Sequence, residues 1–257
     1  MAWTKFPYPN KAYSLAGAAL QKNWARLHRG DCEPFPEDAR LQDAWRSYHA
    51  GDFEQAVVAG LACGIAGYNV ANKATTIYAS YLETNEERKL SMLNEVAQRC
   101  EEQQEKTAAD ANAWYLHAFA LGRYSQSISV VKALAQGLGG KIKHSLTQAL
   151  ALQPAHADAH IALGAYHAEV IDKVGALVGG ITYGVKKDTG REFLEAALKL
   201  NPDSAITRIE YANALVLMFG KAKMKEAERL YQEAAACVPM DAMERLDVEA
   251  AKAELAD

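Results

Sequence analysis

The chain of 257 residues carries no run of Lys or Arg longer than two and a net charge of -4. It therefore offers no electrostatic footprint for nucleic acid, whose binding faces are basic. Its cysteines are few and scattered: Cys32, Cys63, Cys100 and Cys237, none of them in a CxxC pair. A disulfide framework and a zinc site are both disfavoured, and the thiols read as small apolar fillers of a cytoplasmic protein. No stretch approaches the ~20 apolar residues of a membrane span. The opening "MAWTKFPYPNKAYSLAGAAL" makes a poor signal peptide, because its apolar stretch is short, follows two prolines and runs into Leu20, Trp24 and Leu27 at helical spacing. No alternating strand pattern occurs either. The composition that remains is half hydrophobic and 23% charged, ordinary for a globular chain long enough to bury a core.

The organising feature is an internal repeat. "ALALQP" (149–154), "ALKLNP" (197–202) and "AACVP" (235–239) share an ending in which a proline stops one helical pattern and another begins two to three residues later. The segments after the prolines are also alike: "AHADAHIALGAYH" after Pro154 and "DSAITRIEYANAL" after Pro202, with "ADANAWYLHAFAL" upstream. Small residues recur at Ala118, Gly164 and Ala212, where a neighbouring helix must come close, and large ones recur a turn away at Trp114, Leu121, Leu163 and Tyr211. Helices are predicted over 12–28, 37–50, 53–65, 70–82, 85–107, 111–134, 140–152, 157–177, 189–200, 204–219, 223–236 and 241–255.

These endings resemble the tetratricopeptide repeat, with its W-x2-L-G-x2-Y, A-x3-F and A-x4-P positions. Ala227, Tyr231, Ala234 and Pro239 fit the second-helix spacing, and Gly51-Asp52-Phe53 with Ala56 fits an earlier turn and packing alanine. The resemblance covers roughly 37–257 and implies an all-α fold, a right-handed α-solenoid of antiparallel helix hairpins. The expected organisation is one helical-repeat domain over 1–257. It comprises an N-terminal helix and loop (1–36), divergent repeats (37–110), clearer elongated repeats (111–239) and a charged capping helix (240–257). Family repeats are 34 residues long. Here two successive repeats are longer, with inserts around "RYSQSISVVKALAQGLGG" (123–140) and "EVIDKVGALVGGITYGVKK" (169–187). Each insert reads as an extended first helix ended by glycine, at Gly179-Gly180 in the second.

The glycines make no phosphate loop: there is no G-x4-G-K-[ST], no G-x-G-x-x-G and no preceding strand. His156 and His160, four apart, are a weak metal candidate without an HExxH context and read as capping and packing residues. No metal or cofactor is expected. His167, Glu169 and Asp172 form a weak acid–base trio, the basis of an alternative reading as a small-ligand-binding or enzymatic domain. With Lys173, Arg208 and Glu210, His167 and Asp172 also compose an expected inter-repeat polar network. The family resemblance implies that first helices line a concave groove. It places Tyr115, Phe119 and Arg123, then Asp158, Ile161 and Glu169, then Ile209 and Asn213 on that face. The fifth positions (Tyr115, Ile161, Ile209) hold no lysine, which argues against a carboxylate clamp. The leading expectation is a non-enzymatic scaffold binding a peptide or helix of another protein. Self-assembly into a homo-oligomer through the Gly-rich loops is the alternative for the same surfaces.

Overall fold

Short polar side chains set the starts of the helices. Asp38, Asn85, Asp110, His156, Ser204 and Asp241 each accept a backbone N–H from the first turn of the helix that follows, which satisfies donors that no helical carbonyl can reach. The computed structural model describes residues 3–256, and among these the regular structure is entirely helical. After α1 (Ala19–Leu27) come five antiparallel hairpins. They pair α2 (Ala39–Ala50) with α3 (Phe53–Ala62), α4 (Tyr68–Tyr81) with α5 (Glu86–Lys106), and α6 (Ala111–Gln126) with α8 (Leu138–Leu152). The last two pair α9 (Ala157–Val174) with α11 (Lys187–Leu200) and α12 (Ala205–Phe219) with α13 (Met224–Ala235). Short helices α7 (Val130–Ala135) and α10 (Ala176–Tyr183) are inserted inside two hairpins, and α14 (Ala242–Glu254) follows the last.

The recurring small residues are where helices meet. A Cβ on Gly164 of α9 would come within 2.4 Å of Leu194 Cγ and 3.0 Å of the Gly190 carbonyl oxygen on α11. Ala118 and Ala212 are likewise buried. One apolar core runs from Tyr13 through Leu20, Tyr78, Leu116, Leu146 and Leu194 to Leu246, so each hairpin buries its apolar stripe against the next.

The first helices α2, α4, α6, α9, α12 and α14 stand in sequence around the inner face, and α14 returns to pack on α2. The array closes on itself. Arg26 of α1 pairs with Glu244 at 2.6 Å and Asp203 at 3.3 Å, and Arg29 meets Asp203 at 2.7 Å. Tyr81 of α4 donates to Asp247 at 2.5 Å. The expected charged capping helix also buries Leu246, Asp247, Val248 and Ala251 as it seals the ring. Two of its charges, Glu244 and Asp247, belong to the seam rather than to the outer side.

Three expected helices are broken. Residues 12–28 split at Leu15 (φ 45°) and Gly17 (φ 59°), so α1 begins only at Ala19. Residues 111–134 stop at Gln126, where Ser129 leaves the helix and its hydroxyl caps α7 by accepting from the Lys132 N–H; serine competes with the helix in this way. Residues 157–177 stop at Val174, because Gly175 (φ 82°, ψ 153°) turns the chain. Gly179-Gly180 is therefore not the terminator. It lies inside α10, which ends at Gly184 (φ 68°).

Gly164→Ala should lower the unfolding free energy by about 1–3 kcal/mol, as overpacking of a closed contact does. Gly122→Ala on α6, whose Cβ would meet nothing within 4 Å, should be neutral or stabilise by up to about 1 kcal/mol. Urea unfolding of the two variants separates the cases.

Candidate functional site

A chain of buried charge lies at the centre of the ring. His28 closes α1 and donates from Nδ1 to Asp31 in the following loop, at 2.9 Å. Lys73, from the middle of α4, reaches the same carboxylate. His28 Nε2 lies 3.3 Å from His49 Nε2 on α2, and His49 Nδ1 lies 2.7 Å from Asp241, the N-cap of α14. Every one of these side chains is nearly sealed from solvent. Burial opposes ionisation of Asp31, but Lys73 and His28 outweigh it and hold the carboxyl well below the usual carboxylate range. Burial likewise opposes the Lys73 ammonium, and Asp31 more than restores it. Burial also wins at His28, whose pKa falls to about 4, so its imidazole is neutral near pH 7.

Beside this chain, Asn69 and Asn112 both donate to Glu33 Oε2, at 3.0 and 2.6 Å. Gln103 donates to Asn69 Oδ1 at 2.8 Å. His156 donates from Nε2 to Asn112 Oδ1 at 2.9 Å and accepts the Ala159 N–H on Nδ1 at 3.1 Å. Both nitrogens are engaged in tying α9 to α6, which excludes a metal role for His156. Burial, with Asp31 and Asp110 adding to it, pushes the Glu33 carboxyl up to about 8. Asp158 is held at about 6, chiefly by burial, and no described donor reaches its carboxylate.

Over this floor open two adjoining hollows. The inner one, of about 180 Å³, has Lys73, Asp158 and Asp247 at one end and Val130, Leu134, Leu138, Val174 and Tyr183 at the other. The outer one, of about 590 Å³, runs past Asn213, Leu217, Met224 and Tyr231. Arg123, Gln126, Ala165, Glu169 and Glu210 line both.

Of the residues placed on the groove by sequence, Tyr115, Phe119, Arg123, Asp158, Ile161 and Glu169 line the inner hollow, and Asn213 lines the outer. Ile209 lines neither. It is buried with Ala205, Ala234 and Val248 in a small satellite core. Tyr115 and Ile161 are also largely buried and serve as wall rather than free surface.

The expected network between α9 and α12 does not form among the described residues. Glu210 instead takes Arg123 of α6 at 3.0 Å, and Arg208 lies 3.6 Å from Glu233 of α13. Lys173 pairs with Glu169 at 3.3 Å within its own helix. Asp172 is exposed. His167 turns away from the hollow to accept the Lys186 N–H at 3.0 Å. The trio His167, Glu169 and Asp172 does not converge, because residues two apart on a helix point to opposite sides.

No sequence candidate included His28, Asp31, Glu33, His49, Lys73 or Asp241. One signal was available: Lys73 is the sole charged residue between Glu54 and Glu83, and a lone lysine in a helical, otherwise uncharged run needs a buried partner.

No protein-family model and no curated protein matches the chain. A solved structure, described as a thermophilic TPR protein in Thermus thermophilus, is similar at a TM-score of 0.58 and 16% identity, covering 83% of this chain and 97% of that one. The fold is a tetratricopeptide-like helical repeat. Within this array, the charged floor lies at the closing seam between α2, α4 and α14.

Lys73→Met should cost about 3–5 kcal/mol, because it strands Asp31 as an uncompensated buried charge. Adding Asp31→Leu should recover much of that loss in urea unfolding. The pH dependence has a second test. Glu33 is ordinarily ionised above 4.5 but keeps its proton to about 8 in the fold. Only the folded state holds that proton between these values, so stability falls as pH rises through this window. Glu33→Gln should flatten that slope.

Proposed function

We propose that this tetratricopeptide-like array is a protein-interaction module that receives an extended segment of a partner along its inner face, with one large side chain anchored in the inner hollow. The observation that carries this reading is the shared border of the two hollows at Arg123, Gln126, Ala165, Glu169 and Glu210. A hollow of about 180 Å³ suits a single aromatic or branched side chain, since a cavity of about 150 Å³ accepts benzene. The outer hollow has room for the adjoining chain, and its polar groups supply a few fixed hydrogen-bonding positions among apolar walls, as in other ligand clefts.

Ring closure refines the sequence expectation. With α14 lying against α2 and α12, part of the inner face is already taken by a helix of the chain itself, which favours an extended peptide over a further helix. The Arg123–Glu210 pair, partly exposed at 3.0 Å, would meet the peptide backbone, while Phe119 under the Arg123 guanidinium (5.4 Å) forms part of the anchor wall. An enzymatic role has little to recommend it, because the groups suggested for acid–base work do not face one another.

Peptides selected from a displayed library against the full chain should lose about tenfold or more in affinity for Ala165→Trp, in line with the ~2 kcal/mol of a hot-spot contact. This substitution fills the border between the hollows from the α9 side. Circular dichroism should stay helical. Selected peptides that bind the variant with unchanged affinity would move the binding surface elsewhere.

A further inference from the structure

The two inserted helices are copies of one device. In α7, Val131 faces outward and Val130 and Leu134 are exposed at the mouth of the inner hollow, and in α10 Leu177, Val178 and Ile181 repeat the same spacing. Each helix is closed by a glycine in nearly the same left-handed conformation, Gly137 (φ 65°, ψ 25°) and Gly184 (φ 68°, ψ 25°). Both copies border α8: α7 packs on it directly, and Lys143 of α8 donates to the Tyr183 carbonyl at the end of α10 at 2.6 Å. A Cβ on Gly139 would touch the Tyr183 ring at 3.1 Å. The outward side chains are unusually bare. Val131 and Leu177 are each 77% exposed and Ile181 is 80% exposed. Large apolar side chains exposed to this degree, grouped on two helices that border one element, mark an interaction surface.

The charge within the inserts themselves has one sign, with the exposed Asp172 and Asp188 standing just outside the second. Residues 127–157 and 173–187 contain six lysines and no Asp or Glu, in a chain whose net charge is -4. Lys132, Lys141 and Lys186 are exposed, and among the described residues none has a carboxylate within ion-pair distance. A second copy related by a two-fold axis would set lysines against lysines. A surface of anionic headgroups over hydrocarbon complements both the apolar row and the lysines, the combination by which short amphipathic helices lie in a membrane interface.

We infer that α7 and α10 form a seat for an anionic lipid surface, with Val131, Leu134, Leu177, Val178 and Ile181 entering the interface and Lys132, Lys141 and Lys186 meeting headgroups. No described helix is long and apolar enough to cross a membrane, so the seat is peripheral. Val130 and Leu134 also line the inner hollow, so the seated chain presents the mouth of that hollow to the lipid.

The test is flotation of the full chain with vesicles of phosphatidylcholine alone or mixed with phosphatidylglycerol. At low salt the chain should float with the anionic vesicles and at least about tenfold less with the neutral ones, and added salt should weaken the association. Val131→Ser with Ile181→Ser should reduce flotation about tenfold or more. These positions are exposed, so the thermal unfolding midpoint should not move. Lys132→Glu with Lys141→Glu should reduce it through charge alone. Absence of flotation with anionic vesicles overturns the inference, as does undiminished flotation of the serine variant. It is equally overturned if light scattering shows a dimer that the serine variant dissolves while vesicles capture neither protein, which would make a second copy the occupant.

Discussion

The ion pair between Lys73 and Asp31 is the contact on which the closed ring depends. An ammonium and a carboxylate are both taken out of water there, and the cost is offset only if geometry and further hydrogen bonds are complete. Asp31 meets this condition by accepting from Lys73 and His28 together. His28 lies against His49, and His49 against Asp241 at the start of α14. One line of polar contacts thus joins the loop after α1, α4, α2 and α14, elements drawn from both ends of the chain. Such a line adds little net stability over an apolar core of equal volume, but it tolerates only one register of its parts. We regard it as the device that fixes where the last helix docks.

Closure changes what the inner face can do. An open solenoid of hairpins offers a long concave groove; here the groove is shortened to two hollows, because α14 occupies the remaining turn. The outer pairs Arg26–Glu244 and Arg29–Asp203 are at least partly exposed and contribute modestly each. The weight of closure falls on the buried contacts and on apolar residues such as Leu246. The same closure explains the raised carboxyl pKa values. Asp158 and Asp247 stand at the closed end of the inner hollow and Glu33 is enclosed by Asn69 and Asn112, so burial dominates at each.

The hairpins were legible because their signals are local. Prolines two or more residues beyond the ends of α8, α11 and α13 and the small contact residues Gly164 and Ala212 all act within a few residues or across one hairpin. The breaks were less legible. Ser129 and Gly175 divide apolar runs whose helical periodicity continues on both sides. Gly179-Gly180 reads as a stop by propensity, yet lies inside α10; a Cβ at Gly179 would come within 2.8 Å of Val185 Cγ2, so tertiary packing calls for glycine there. The ring was not legible at all. Arg26 and Glu244 are 218 residues apart, and no spacing rule connects them. The groove was legible in outline, since most residues placed on it line the hollows. Its partners were not, because Arg123 chooses Glu210 across two hairpins rather than along one helix.

The inserts α7 and α10 join these levels. Each has an inner side that closes the mouth of the inner hollow, through Ala133 and Leu134 in one copy and Tyr183 in the other, and an outer side left bare. A six-residue or eight-residue helix is too short to be stable by itself, so its outward apolar side chains are not there to hold it. Its anchoring comes from the inner side and from contacts such as Lys143 with the Tyr183 carbonyl. The barest of them, Val131 in one copy and Leu177, Val178 and Ile181 in the other, therefore contribute nothing visible to the fold that bears them. Their physical effect is on whatever meets that surface, and because the same helices form the wall of the hollow, events at the surface and in the hollow share one structural element.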